Sequence, residues 1–141
     1  MAQIVSAVVC DGWRSLIASR YAADTVLLID KFRIGEGGHD GGSPKEPVTP
    51  LANRTDIEAD NITKYYFEGN LDQTDITAVT NQITIRCFID SAQANLNLAS
   101  NPPEFFELGV YSGSTLIAYS TFPIEIKTVS KSLEHLIIVD F

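Results

Sequence analysis

Residues 104–119 constrain the fold of this chain more than any other stretch. Glu104-Phe105-Phe106-Glu107-Leu108-Gly109-Val110-Tyr111 and Thr115-Leu116-Ile117-Ala118-Tyr119 are both rich in aromatic and β-branched residues, and they flank Ser112-Gly113-Ser114. Runs of this kind bounded by a glycine turn read as a β-hairpin, with Gly113 supplying the positive φ that the reversal needs. A chain built around such a hairpin must provide further strands, because a lone hairpin is marginal in water.

Further strands are legible. Gln82 to Asp90 alternates cleanly, with Ile83, Ile85, Cys87 and Ile89 on one face. Lys64 to Gly69 is aromatic and β-prone. Thr25 to Ile34 begins as a continuous apolar run and ends in alternation, with Phe32 and Ile34 opposite Lys31 and Arg33. Phe122–Thr128 and Leu133–Phe141 read as two more strands, the last apolar enough to lie centrally in a sheet. One helix is predicted over residues 11–23. There Trp13, Leu16, Ile17 and Tyr21 mark one apolar face and Asp11 is the N-cap. The expectation is an α+β fold: a mostly antiparallel β-sheet of about six strands with one N-terminal amphipathic helix. With 141 residues, the whole chain 1–141 is expected to form a single domain.

Residues 35–50 break this pattern. Five glycines and three prolines in that stretch leave no regular element. The stretch is too long for a hairpin turn, so it is a functional or adaptable loop. Ala92 to Asn101 is polar and reads as a second loop.

Composition limits the partners. Ten Lys and Arg against eighteen Asp and Glu give a net charge of −8, which repels phosphate backbones and anionic surfaces. No nucleic acid and no membrane are expected. No apolar run approaches the length of a membrane span, and the N-terminus lacks the basic region of a signal peptide. Cys10 and Cys87 sit in apolar runs and read as buried free thiols, with one disulfide as the alternative.

Chemistry-bearing patterns are weak. Gly35-x-Gly37 begins a dinucleotide fingerprint, but Asp40 fills the third glycine position and prolines follow where a helix is required. His39, Asp40 and Glu36 could chelate a cation only loosely, since no ligand spacing of a metal site is present. Serines and histidines occur without a nucleophile elbow. Glu104 and Glu107 are three apart on a strand and so point to opposite faces. Glu107, set among Phe106, Leu108 and Val110, is expected to be partly buried and paired. No cofactor, no metal and no catalytic residue are expected. The stretch Ala2–Val9 carries no charge, so it is expected to pair with an edge strand or a partner. A chain lacking residues 2–9 is then expected to fold but to fail in assembly.

Several of these pieces, in this order, resemble the tail-collar fibre domain of contractile-tailed phages. Asp11–Ala23 looks like its opening helix, and Phe32-Arg33-Ile34-Gly35-Glu36-Gly37-Gly38 like its glycine turn. Pro47-x-x-Pro50-Leu51 looks like its following segment and Gln82–Asp90 like its alternating strand. Glu107-Leu108-Gly109-Val110-Tyr111 and Gly113-x-x-Leu116-Ile117-Ala118 are similar to its Glu-x-Gly-x-Tyr and Gly-x-Leu-Ile-Ala hairpin, and Pro123 and Lys127 echo a later Pro-x-x-x-Lys step. Phe106 departs from the family, which often has arginine there. The likeness spans residues 11–127 and stops short of the long shaft that family members usually carry.

The resemblance implies a non-enzymatic virion structural protein, a tail-fibre adaptor, hinge or baseplate component joining a fibre to the baseplate. It implies assembly in the bacterial host cytoplasm into the virion tail. The partners it implies are other tail or baseplate subunits and a tail fibre, and further copies as a trimer or dimer. The expected interface is Ile4, Val5, Val8, Gly35, Glu36, Gly37, Gly38, Tyr65 and Tyr66. The rival readings are a small carbohydrate-recognition β-domain using Tyr65, Tyr66 and the glycine loop, and a metal-assisted hydrolase around His39.

Overall fold

The computed structural model describes residues 3–95 and 102–140. Ala2 of the uncharged segment, residues 96–101 of the polar loop and the last residue of the expected C-terminal strand lie outside them. The fold is mostly β, with two sheets and one helix, an arrangement compatible with the expected α+β class. It has more strands than the sequence patterning predicts: nine among the described residues, split between two sheets.

The strands are β1 (Gln3–Ser6), β2 (Val8–Val9), β3 (Lys31–Gly35), β4 (Tyr66–Asn70) and β5 (Ile76–Val79). They continue with β6 (Gln82–Ile89), β7 (Glu104–Ser112), β8 (Thr115–Ile126) and β9 (Leu133–Asp140). One sheet has the order β1-β9-β6-β5 and the other β2-β8-β7-β3-β4. All pairings are antiparallel except β1 with β9. The sheets face each other across one core. Val5, Ile85, Cys87, Ile89, Ile137 and Val139 come from the first sheet, and Phe32, Ile34, Phe105, Val110 and Ile117 from the second.

Several expectations hold. Ile85, Cys87 and Ile89 are buried on one face of β6, and β9 lies between β1 and β6. Phe32 and Ile34 point into the core. Gly113 turns the β7–β8 hairpin at φ 60°. Both cysteines are free and buried, Cys87 in the core between the sheets and Cys10 in a second cluster. Burial pushes the Cys10 thiol up to about 11, with the Asp11 carboxylate adding to it.

Other expectations need correction. The segment Thr25 to Asp30 is not a strand. Backbone bonding continues only to Asp30, whose N–H donates to Tyr111 O at 3.0 Å and whose carbonyl accepts from the Leu71 N–H at 2.9 Å; the β7–β8 hairpin turns at Gly113, and Val26 and Leu28 are exposed. Phe122–Thr128 is not separate from the hairpin, because β8 runs unbroken to Ile126. Its bulge, between the pairs Phe105–Glu125 and Glu107–Thr121, holds Pro123, which has no N–H to give a ladder. Strand β5 went unread; it is set by a single 3₁₀ turn, Gln73–Asp75, with Asp72 and Asp75 in a reciprocal capping box.

The helix, α1 (Asp11–Ala22), follows two strands instead of opening the chain. Its N-cap is Cys10, and the Asp11 side chain pairs instead with Arg14 at 3.5 Å. The expected apolar face is split. Trp13 and Leu16 pack on the core, whereas Ile17 and Tyr21 are exposed. The helix is held against β8 at its first turn, where a Cβ on Gly12 would come within 3.2 Å of the Leu116 carbonyl.

The N-terminal segment is part of the folded body. Strand β1 pairs with β9 of one sheet and β2 with β8 of the other, so residues 3–9 lace the two sheets together. The Ala7 N–H donates to Ile138 O, the Ser120 hydroxyl donates to Ser6 O, and Val5 is buried. This corrects the expectation that removal of residues 2–9 leaves folding intact. The chain's own sheet edges already take up that backbone.

Candidate functional site

Strand β7 is buried along nearly its whole length because both its faces are covered. Leu108 and Val110 face the other sheet. Glu107, Gly109 and Tyr111 face a cover formed by the segment from Gly35 to Gly38 and by residues 51–61. Ile57 and Ala59 of that cover pack with Tyr111, Leu116, Tyr119 and Cys10 as a second apolar cluster.

At its centre lies Glu107, fully buried. Its Oε1 accepts from the Glu58 N–H at 2.8 Å and the Tyr119 hydroxyl at 2.7 Å. Its Oε2 accepts from the Ala59 N–H at 2.8 Å and the Gly37 N–H at 3.1 Å. A carboxylate is an acceptor on both oxygens, and here four donors converge on it without a competing acceptor. A buried polar group costs stability unless it is paired in this way.

The three glycines of the turn make room for that side chain. A Cβ on Gly35 or Gly37 would fall 2.7 or 2.5 Å from Glu107 Oε2, and one on Gly38 would fall 2.9 Å from the Glu107 Cβ. Gly38 also has φ 80°. Neighbouring side chains lock the turn further. The Glu58 carboxylate accepts from the Gly38 N–H at 2.7 Å and from Lys64 Nζ. Partial burial works to raise the Glu58 carboxyl, but the Lys64 ammonium and the Gly38 N–H outweigh it and hold it below the usual range. Glu36 accepts from the Tyr65 N–H at 3.1 Å and from the Glu104 N–H at 3.0 Å, tying the residue before β4 to the start of β7. Burial, and then the Glu107 carboxylate, pushes the Tyr119 phenol well above its ordinary value.

A parallel arrangement sits four residues along the strand, at Tyr111. The Tyr111 hydroxyl donates to Asp56 and accepts from the Ile57 N–H at 3.2 Å. The Arg33 guanidinium lies between the Tyr66 and Tyr111 rings, 4.9 and 4.8 Å from their centroids, and bonds Glu68 at 2.9 Å and Asp56 at 3.3 Å.

The residues expected at an interface therefore fall into distinct places. Gly35, Gly37 and Gly38 are buried within the chain around Glu107, and Glu36 is half-buried beside them. Tyr65 lies against Phe105 and Tyr66 against Arg33, on opposite faces of the sheet. Val5 is in the core, Val8 is half-buried in β2, and Ile4 is exposed. Glu107 was legible as buried and paired, but its partners Glu58, Ala59 and Tyr119 were not. Residues 51–61 have no periodicity, so nothing in the sequence marks them as its cover.

His39, Asp40 and Glu36 do not converge. His39 Nδ1 accepts from the Gly41 N–H and its ring lies tilted against Phe106, while Asp40 accepts from the N–H groups of Gly42 and Glu46. Among the described residues no group of three or more His, Cys, Asp or Glu is arranged to hold a metal. Among them, too, no helix is long and apolar enough to cross a membrane. What the Glu107 arrangement can do chemically is hold: three backbone N–H groups from segments far apart in sequence and one phenol of the neighbouring strand meet on it. No protein-family model, no curated protein and no solved structure matches the chain.

Proposed function

We propose that this chain is a phage virion structural protein, an adaptor, hinge or baseplate component of the tail-collar type that joins a tail fibre to the baseplate. The supporting observation is the Glu107 knot. The resemblance rests on two glycine-bearing motifs far apart in sequence, Gly35-Glu36-Gly37-Gly38 and Glu107-Leu108-Gly109. In the fold they meet, the N–H of Gly37 on the carboxylate of Glu107. A motif pair whose members depend on each other reads as one structural device, and a device of this kind suits a part that transmits force. The reading makes the protein non-enzymatic, needing no cofactor, incorporated into the tail after assembly in the host cytoplasm, and in contact with further copies of itself as well as tail subunits.

The test is genetic and physical. Particles produced without this chain should show baseplates that lack fibres, and mass spectrometry should find the chain in purified wild-type tails. Fibres on the deficient particles, or tails free of the chain, would refute the proposal. Glycan binding by the isolated chain would instead favour the carbohydrate-recognition reading.

A further inference from the structure

We propose that two copies of this chain associate through the groove between α1 and the sheet ends, in an isologous contact. The groove, of about 410 Å³, has Val9, Trp13 and Ile17 as its apolar lining. Arg14 stands on its helix wall and Asp140 on its strand wall. Ile17 is 40% exposed, and no residue of the helix is fully buried. An apolar floor left open beside a helix marks an interaction surface.

The charges name the occupant. The groove carries one cation and one anion on opposite walls, a pattern that is self-complementary under a two-fold rotation. In such a pair Arg14 of each copy faces Asp140 of the partner subunit, while the Trp13 and Ile17 side chains close over one another. Within one copy these charges have modest local partners: Arg14 pairs with the exposed Asp11 at 3.5 Å, and Asp140 accepts from Gln82 at 2.8 Å. The rest of the molecule opposes self-association, since the chain carries a net charge of −8. Helix α1 is an exception, holding Arg14 and Arg20 against Asp11 alone, so two copies meet least repulsion here. The contact stands on the groove itself and holds whether or not the chain belongs to a phage tail.

Light scattering and sedimentation of the purified chain test it, with the emission of Trp13, the single tryptophan, as a local reporter. A dimer forming with rising concentration and a blue shift of that emission are expected. Arg14→Asp alone and Asp140→Arg alone should each weaken the dimer about tenfold. An equimolar mixture of the two variants should restore it, because in the mixed pair every charge at position 14 again meets its opposite at position 140 of the other copy. Circular dichroism checks that each variant is folded. A chain that stays monomeric at about 0.3 mM overturns the proposal and leaves the groove to a different subunit. A dimer indifferent to both charge reversals overturns it as well.

Discussion

The N–H of Gly37 donates to Oε2 of Glu107 at 3.1 Å across 70 residues of sequence. Gly37 must be glycine for this bond to form, and Glu107 must be buried for it to matter. The segment that carries Gly37 leaves the sheet at the end of β3 and would otherwise run over the surface as an unpaired loop. Glu107 gives it, and the Glu58–Ala59 backbone beside it, a fixed place on the face of β7.

Glu107→Gln should therefore destabilise the fold although it preserves shape. One of its two acceptor oxygens becomes an NH₂ group facing N–H donors, at a cost of about 2–3 kcal/mol. Tyr119→Phe removes a single donor and should cost about 1 kcal/mol. The two changes touch one network, so their effects in urea denaturation should not add. Additive losses, or a Gln variant as stable as the parent, would argue against the network.

Gly37→Ala tests the space around the carboxylate. The added Cβ would lie 2.5 Å from Glu107 Oε2 and 2.6 Å from the Glu58 Cβ, distances that force backbone movement. A loss of about 3 kcal/mol is expected from such overpacking. At Gly113 the same substitution meets nothing within 4 Å and is opposed only by φ 60°, so about 1 kcal/mol is expected there. Thermal midpoints of the two variants should fall in that order.

How much of this was legible follows from which interactions are local. The β6 alternation and the Gly113 turn are encoded in neighbouring residues, and both are where the sequence places them. The failures come from tertiary context. Val26 and Leu28 have strand-like side chains but no adjacent strand, so they stay exposed. Of the two expectations for the uncharged N-terminal segment, an edge strand or a partner, the structure has the first, with Val5 in a strand beside β9, but which sheet it joins is not written in its own residues. The glycines at 35, 37 and 38 look like freedom for a loop. Their absent side chains instead make space for one carboxylate. Nothing local to residues 58 and 59 signals that their N–H groups point at Glu107.

The lacing role of the N-terminus predicts a sharp contrast between adjacent positions. Val5 is buried in the core, so Val5→Ala should cost roughly 2 kcal/mol. Ile4, on the other face of the same strand and 67% exposed, should tolerate alanine within about 0.5 kcal/mol. Equal effects at both positions would mean that β1 is not held in the sheet.

His135 predicts how stability responds to pH. It is buried on β9 against the Phe122 ring, 4.8 Å between centroids, and its Nε2 has no hydrogen-bond partner among the described residues. Burial, and then the charge of Lys131, lowers the imidazole to about 4 from an ordinary value near 6.5. Between those values the unfolded chain binds the proton and the folded chain does not. Its contribution is thus fully present above pH 6.5 and is lost as pH falls toward 4, a change of about 3 kcal/mol over the window. Asp60 acts lower. Its carboxyl, held at about 2 by the Thr63 and Ile62 N–H groups, contributes above its unfolded value near 3.8 and loses that contribution only as pH falls through 2. Urea midpoints measured from pH 7.5 to 4 should therefore decline in the parent and decline less in His135→Leu, which has no imidazole to charge. Parallel profiles for the two proteins would show that His135 titrates freely in the folded state.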